Sequence, residues 1–449
     1  MIYLAVILTS LWTWAKPYHD PSKVLSPGFD QNKTYLEQSI HKPMGMKVLR
    51  AEVSWQEGEN YILTDIFQEN SGTDALYKNA QRKDSLGSYK AELSLTTPEG
   101  IQTFHSSLGT GREFRRLVRT LAFRFPLPDS SRDLKLKVFA ENPDSGVLEK
   151  VLEKDIDLEK LVSVSPQEVK VTKLRGSLTT SSLKLNFYAE GYSADGERRF
   201  LEAAKKAISV LEKNLPGHEQ FEFFAVFSPS NSKLGNHVDR GDEVKIQDSF
   251  LGLYFPHWRK FGRWYHVVYP TSETKYRNAL AQAPYDYPIA IVDDNGYWGV
   301  GNYKELTAVP AGNFQFSYLL LHEFGHFMGL NEEYEGGGPT ELEFAPKISE
   351  PWSQNITFNP DPEKIKWFNH LAPGISVPTS RMDYNRHGGS RSNPVGAYKG
   401  GYADSEPAGK SHKPVLKCMM ASGGDFCPVC QHALRDLIKF DTGDAVVKD

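Results

Sequence analysis

The sequence predicts an α+β chain: an N-terminal antiparallel β-sandwich, then an α/β domain in which a mixed sheet carries one apolar, histidine-bearing helix. Three observations predict it. Up to about Val162, apolar and polar residues alternate at period two. Near Ser165-Pro166 the pattern changes to apolar strands alternating with a helix. The stretch FQFSYLLLHEFGHFMG (314–329) is apolar on both sides of its histidines and contains no proline, which is the pattern of a buried helix.

The N-terminal alternation is explicit in Ala91, Leu93 and Leu95, in Leu121, Phe123 and Phe125, and in Leu134, Leu136, Val138 and Ala140. Turn clusters PDSS (128–131) and NPDSG (142–146) separate the strands, so residues 26–165 are assigned to the sandwich domain. It holds no catalytic constellation and reads as an accessory or packing module. Residues 166–449 form the second domain. LKLNFYAEGY (183–192) is its first strand, and Phe200, Ala204, Ile208, Leu211 and Leu215 recur at helical spacing after it. FEFFAVF (221–227) and PIAIVDD (288–294) are two further strands, and YWGVGNY (297–303) reads as an irregular, glycine-rich edge strand.

Bulk properties narrow the function classes. The 449 residues carry a net charge of −4 and 39% apolar residues, which suits a soluble fold with a sizeable core and no polyanion-binding surface. The densest basic patch, Arg112, Arg115, Arg116 and Arg119, reads as a solvated strand end, not a nucleic-acid site. Residues 1–15, MIYLAVILTSLWTWA, read as a signal peptide: too short to span a bilayer comfortably and ending in small residues, although no Lys or Arg precedes the apolar run. Export without a membrane anchor is expected, and no other stretch is long enough to span.

The chemistry resides in HEFGH (322–326). Residues four apart share a helix face, so His322 and His326 can both reach one ion at the roughly 2.0–2.1 Å of a zinc–nitrogen bond. Glu323, beside the first ligand, is placed to take a proton from a water whose pKa the metal has lowered. Gly329 frees the chain to turn after the second histidine, and Glu332 stands three residues on, where a last ligand belongs. Adjacent Glu333 competes for that role. Glu343 and Glu350 lie at the spacing of a ligand from a second helix, but Pro339, Pro346 and Pro351 interrupt any helix there. One catalytic zinc ion is the cofactor expected. The three cysteines, Cys418, Cys427 and Cys430, include a CPVC pair. With no second pair to complete four ligands, a local disulfide or buried thiols are expected in place of a structural zinc site.

Further segments extend the match. LNFYAEGYSADGERRFLEAAKKA (185–207), FFAVFSPSNSKLGN (223–236), YDYPIAIVDDNGYWGVG (285–301), HEFGHFMGLNEEY (322–334), PWSQNIT (351–357), KIKWF (364–368), VGAYKGGY (395–402) and KCMMASGGDFCPVC (417–430) together resemble, in order, the IgA peptidase family of zinc metallopeptidases. The resemblance implies a metzincin-like catalytic domain after an N-terminal β domain. It implies His322, His326 and Glu332 as zinc ligands, Glu323 as general base, and Met420 as the methionine turn under the metal. Two departures stand out: Glu332 replaces the family's usual aspartate, and its Y-R-P element falls at GKSHKP (409–414), where His412 and Lys413 replace the Tyr and Arg. Tyr384, Tyr402 and His412 are candidates for stabilising the oxyanion. The function expected is an exported zinc-dependent endopeptidase acting on a protein or peptide substrate, bound as an added strand along Tyr297–Gly301. The alternative is a catalytically degenerate zinc-containing scaffold that binds protein or glycan.

Overall fold

The computed structural model describes residues 38–40, 45–56, 60–83, 86–109, 119–142, 145–176, 182–232, 236–237, 248–255, 257–258, 263–264, 268–334, 350–402 and 411–443. The expected signal peptide, most of the arginine patch, Glu343, and Gly409 and Lys410 of GKSHKP lie outside them.

The apolar strands predicted for the second half join a seven-stranded mixed sheet together with two strands that were not predicted, Lys170–Arg175 and Gln38–Ile40, so residues 38–40 of the segment assigned to the sandwich pair with the central sheet instead. Its order is Gln38–Ile40, Lys170–Arg175, Phe221–Phe227, Leu183–Glu190, Tyr287–Val292, Leu306–Pro310 and Val300–Asn302. The pairings among Phe221–Phe227, Leu183–Glu190, Tyr287–Val292 and Leu306–Pro310 are parallel, and those toward both edges are antiparallel. These central strands are apolar at nearly every position because helices cover both faces. Phe187, Phe223, Ala225, Ile289, Ile291 and Val309 point to one core, against helices Glu197–Asn214 and Phe316–Phe327. Their alternates Tyr188, Phe224, Val226, Ala290, Val292 and Ala308 point to the other, against helix Glu273–Leu280. Val300–Asn302 is the edge, as the glycine-rich segment predicts, and it pairs only with Leu306–Pro310. Helix Pro428–Thr442, with proline at its first turn and Gly443 at its C-terminal end, was not among the predicted elements.

The N-terminal alternation forms two four-stranded sheets. One has the order Arg119–Pro126, Met46–Gln56, Asn60–Gly72 and Val162–Ser163; the other Gly100–Leu108, Tyr89–Thr97, Arg132–Glu141 and Leu148–Ile156. All pairings are antiparallel except the short one of Phe67 with Val162. Leu49, Ala51 and Phe123 of the first sheet share one core with Leu93, Leu95, Leu136 and Val138 of the second.

A buried ionic seam joins these sheets to the rest of the chain. Glu69 accepts from Arg50 at 2.8 Å and from Arg124 at 3.1 Å. Arg50 also donates to Asn278 at 2.6 Å, and Arg124 to the Tyr285 carbonyl at 3.2 Å. Removing Arg124 leaves Glu69 paired with Arg50 alone and strips the buried Tyr285 carbonyl of its Arg124 donor. Arg124→Ala is therefore expected to cost about 1–3 kcal/mol of stability, read as a lowered denaturation midpoint.

Candidate active site

Helix Phe316–Phe327 carries both motif histidines and is buried over almost its whole length. Its end is set by Gly329, whose φ of +88° only glycine adopts without strain. The N–H of Gly329 bonds the His326 carbonyl at 2.9 Å, and that of Leu330 bonds the Gly325 carbonyl at 3.0 Å, the paired bonds of a Schellman turn. That turn brings the Leu330 carbonyl to the His326 ring, where Nδ1 donates to it at 2.9 Å. The Nδ1 of His322 likewise donates to the Met419 carbonyl at 3.2 Å.

Because both rings carry their proton on Nδ1, both present Nε2 as the lone-pair nitrogen. The two Nε2 atoms lie 3.2 Å apart. Two nitrogens bound to one tetrahedral zinc would be separated by about 3.3 Å, given bond lengths of about 2.0–2.1 Å. Two lone pairs facing each other at this distance repel unless a cation sits between them, so the donor set fits a metal ion.

The two competing glutamates diverge. Glu332 places Oε1 3.9 Å from the His326 Nε2, with its side chain 19% exposed. Glu333 turns inward, fully buried, where it accepts from Asn355 Nδ2 at 3.1 Å and from the Cys430 thiol at 3.0 Å. Burial, with the Cys418 sulfur beside it, pushes its carboxyl well above the usual range. Glu350 is committed elsewhere: it accepts from the Phe358 N–H at 2.8 Å and pairs with Lys366 at 3.1 Å. Of Glu332, Glu333 and Glu350, the three described, Glu332 is therefore the one brought beside the histidines.

The edge strand walls the site. The Glu323 carboxylate lies against Gly299, where an added Cβ would stand 2.5 Å from Oε1, and a Cβ on Gly301 would stand 2.0 Å from the Glu323 carbonyl oxygen. The glycine-rich sequence of this strand is thus a close-approach requirement. Tyr297, at the start of the same segment, has its phenol raised by burial and by the Glu323 carboxylate. Met420 is fully buried beneath the helix, its sulfur against Gly325. Tyr334 stacks on His322, with ring centroids 6.0 Å apart.

The three oxyanion candidates serve other contacts. Tyr384 packs edge-on against Tyr398. The Tyr402 N–H donates to the Glu332 carbonyl at 2.8 Å, and its ring packs on Phe358. His412 exchanges backbone hydrogen bonds with Thr357, while Lys413 donates to the Glu333 carbonyl at 2.6 Å. The three cysteines are buried, unpaired thiols, so of the two expectations for them the disulfide does not form. Asn355, the first residue of a glycosylation sequon in form, is fully buried and clamps Asn331 at 2.8–2.9 Å.

Among the described residues no helix is long and apolar enough to cross a membrane. No curated protein matches the chain. Residues 172–389 match the family described as IgA Peptidase M64, a span that includes the histidine helix, the edge strand and Glu332 and ends before the cysteines. Over that span, just under half of the chain, the sequence is similar to the IgA peptidase M64 family.

Proposed function

We propose that the protein is an exported zinc-dependent endopeptidase, with His322, His326 and Glu332 as the metal ligands and Glu323 as general base. The observation that carries this reading is the pair of Nε2 atoms 3.2 Å apart, each held in its metal-binding tautomer by a backbone carbonyl. A zinc ion at such a site supplies Lewis acidity, polarising a carbonyl and bringing the pKa of water to near 7. The chain's own groups do the rest. Glu323, held against the edge strand, accepts the proton of the attacking water and delivers it to the leaving amine. Val300–Asn302 offers its outer backbone edge to an extended peptide, which would add as an antiparallel or parallel strand beside Glu323. Tyr297, two residues before the Gly299 wall of Glu323, is the candidate donor to the developing oxyanion.

The same reading divides the chain into a β-sandwich domain over residues 26–165, apart from Gln38–Ile40, which pairs with the central sheet, and a metzincin-like catalytic domain over residues 166–449. The shared core of the two N-terminal sheets supports the first, and the Schellman turn with Met420 beneath the helix supports the second. Support for export comes from the apolar run at residues 1–15.

Metal content and hydrolysis of an unstructured protein such as casein test the assignment. Glu323→Gln is expected to keep its metal and lose about 10²–10⁴-fold in kcat/KM, the usual worth of a general base. Glu332→Ala is expected to lose metal from the histidine site and activity with it. A wild-type protein that holds zinc there but cleaves no peptide would favour the degenerate binding scaffold instead.

The edge-strand wall makes a separate prediction. Gly299→Ala forces a methyl group into the Glu323 carboxylate, so activity should fall at least tenfold while zinc content stays at the wild-type level. Unchanged activity would show that the carboxylate is free to swing away from this wall.

A further inference from the structure

Beneath the histidine site lies a second group of metal-ligating side chains. The Sγ atoms of Cys418, Cys427 and Cys430 and a carboxylate oxygen of Glu333 all lie within 4.8 Å of one another, and all four residues are buried. They come from three separate places in the fold. Glu333 follows the Schellman turn, Cys418 opens the short helix Met419–Ser422, and Cys427 and Cys430 flank the first turn of helix Pro428–Thr442.

We propose that these four side chains hold a structural zinc ion, distinct from the catalytic one. The spacing fits: Cys418 and Cys430 have their sulfurs 3.7 Å apart, and two thiolates on one tetrahedral zinc at about 2.3 Å would be separated by about 3.8 Å. A disulfide between them would need the sulfurs to close to about 2.05 Å and would leave the third thiol and a carboxylate buried beside it. The carboxylate itself calls for a cation. Glu333 is fully buried, Oε1 takes the Asn355 and Cys430 contacts, and Oε2 has no hydrogen-bond partner among the described residues.

Three thiolates and a carboxylate around a divalent ion carry a net charge of −2, and the surroundings offset it. The Cys427 N–H donates to the Cys418 sulfur at 3.4 Å, and the N-terminus of the 15-residue helix Pro428–Thr442 faces the site. The Lys413 ammonium, on the Glu333 carbonyl at 2.6 Å, adds a full positive charge. Each thiol gives its proton to solvent as its sulfur–metal bond forms, so binding weakens as pH falls. A soft, sulfur-rich donor set of this kind selects zinc over calcium or magnesium.

The ion would tie together the segments that shape the catalytic floor. Next to Cys418, the Met419 carbonyl orients His322, and the Met420 carbonyl receives the Glu333 N–H at 2.7 Å. Glu333 in turn fixes Glu332.

The test uses the full chain carrying His322→Ala and His326→Ala together, which removes the catalytic site and leaves the thiol cluster intact. Wild type is expected to hold two zinc ions per chain and this variant one. Its cobalt(II)-loaded form is expected to show thiolate-to-cobalt charge-transfer absorption in the near ultraviolet, which histidine and carboxylate ligands alone do not give. Adding Cys427→Ser should remove that absorption and the remaining equivalent. The proposal is overturned if the double-histidine variant holds no metal, if its cobalt form lacks the charge-transfer band, or if mass spectrometry finds a Cys418–Cys430 disulfide in its place. One zinc per chain in wild type, retained in the double-histidine variant with the cobalt band present, would instead uphold the thiol site and remove the catalytic one.

Discussion

The site depends on one turn. Gly329 takes a positive φ, the helix stops, and the next four residues leave in a direction fixed by hydrogen bonds at each step. The Leu330 carbonyl returns to His326, Asn355 clamps Asn331 on both sides, Tyr402 takes the Glu332 carbonyl, and the Met420 carbonyl takes the Glu333 N–H. With the backbone held in this way, two consecutive carboxylates are sent to opposite places: Glu332 to the histidines and Glu333 to the thiols. A β-carbon at position 329 would strain the backbone and displace everything after it. The extra methylene of Glu332, relative to an aspartate, changes reach within this frame but not direction.

Local information was enough to read much of this from the sequence. The helix, its two histidines on one face and its glycine stop involve neighbours within a few residues, so spacing alone specifies them. The doubly buried strands are equally legible, because continuous apolar runs are what a sheet covered on both faces demands. The choice between Glu332 and Glu333 was not legible. It is made by Asn355, 22 residues after Glu333, and by a carbonyl at Met420, and neither leaves a mark on the local pattern. The thiol cluster failed for a related reason. Counting cysteines stops at three, while the fourth donor, a glutamate, stands 97 residues before Cys430. The signals for helix Pro428–Thr442, a proline at its start and Gly443 at its end, were present but were overshadowed by the cysteines.

Glycine in the edge segment illustrates the difference between a correct element and its cause. An irregular, glycine-rich strand was expected at YWGVGNY, and an edge strand is found there. From the sequence, the glycines mark an irregular edge and no more. The structure gives a steric reason: the helix carrying Glu323 lies so close that no side chain fits at positions 299 and 301. Under the proposed function, the strand that would receive a peptide is also the surface that holds the Glu323 carboxylate, so substrate register and carboxylate position share one wall.

The N-terminal sheets hold no catalytic residue, yet they are packed against this machinery. The Gly109 N–H bonds the Tyr303 carbonyl at 2.9 Å, one residue past the edge strand, and Leu86 and Trp352 lie around the Gly329 turn. Trp352 and Tyr303 pack with their rings tilted, centroids 5.3 Å apart, and complete the same cluster. Gly109 and Leu86 adjoin the strands Gly100–Leu108 and Tyr89–Thr97, which belong to a single N-terminal sheet. That sheet therefore touches both the edge that would bind substrate and the turn that aims Glu332. With the ionic seam of Arg50, Arg124 and Glu69 securing the other sheet, the N-terminal half buttresses the site, and a change in its packing would reach His326 and Glu332 through Tyr303 and the Gly329 turn.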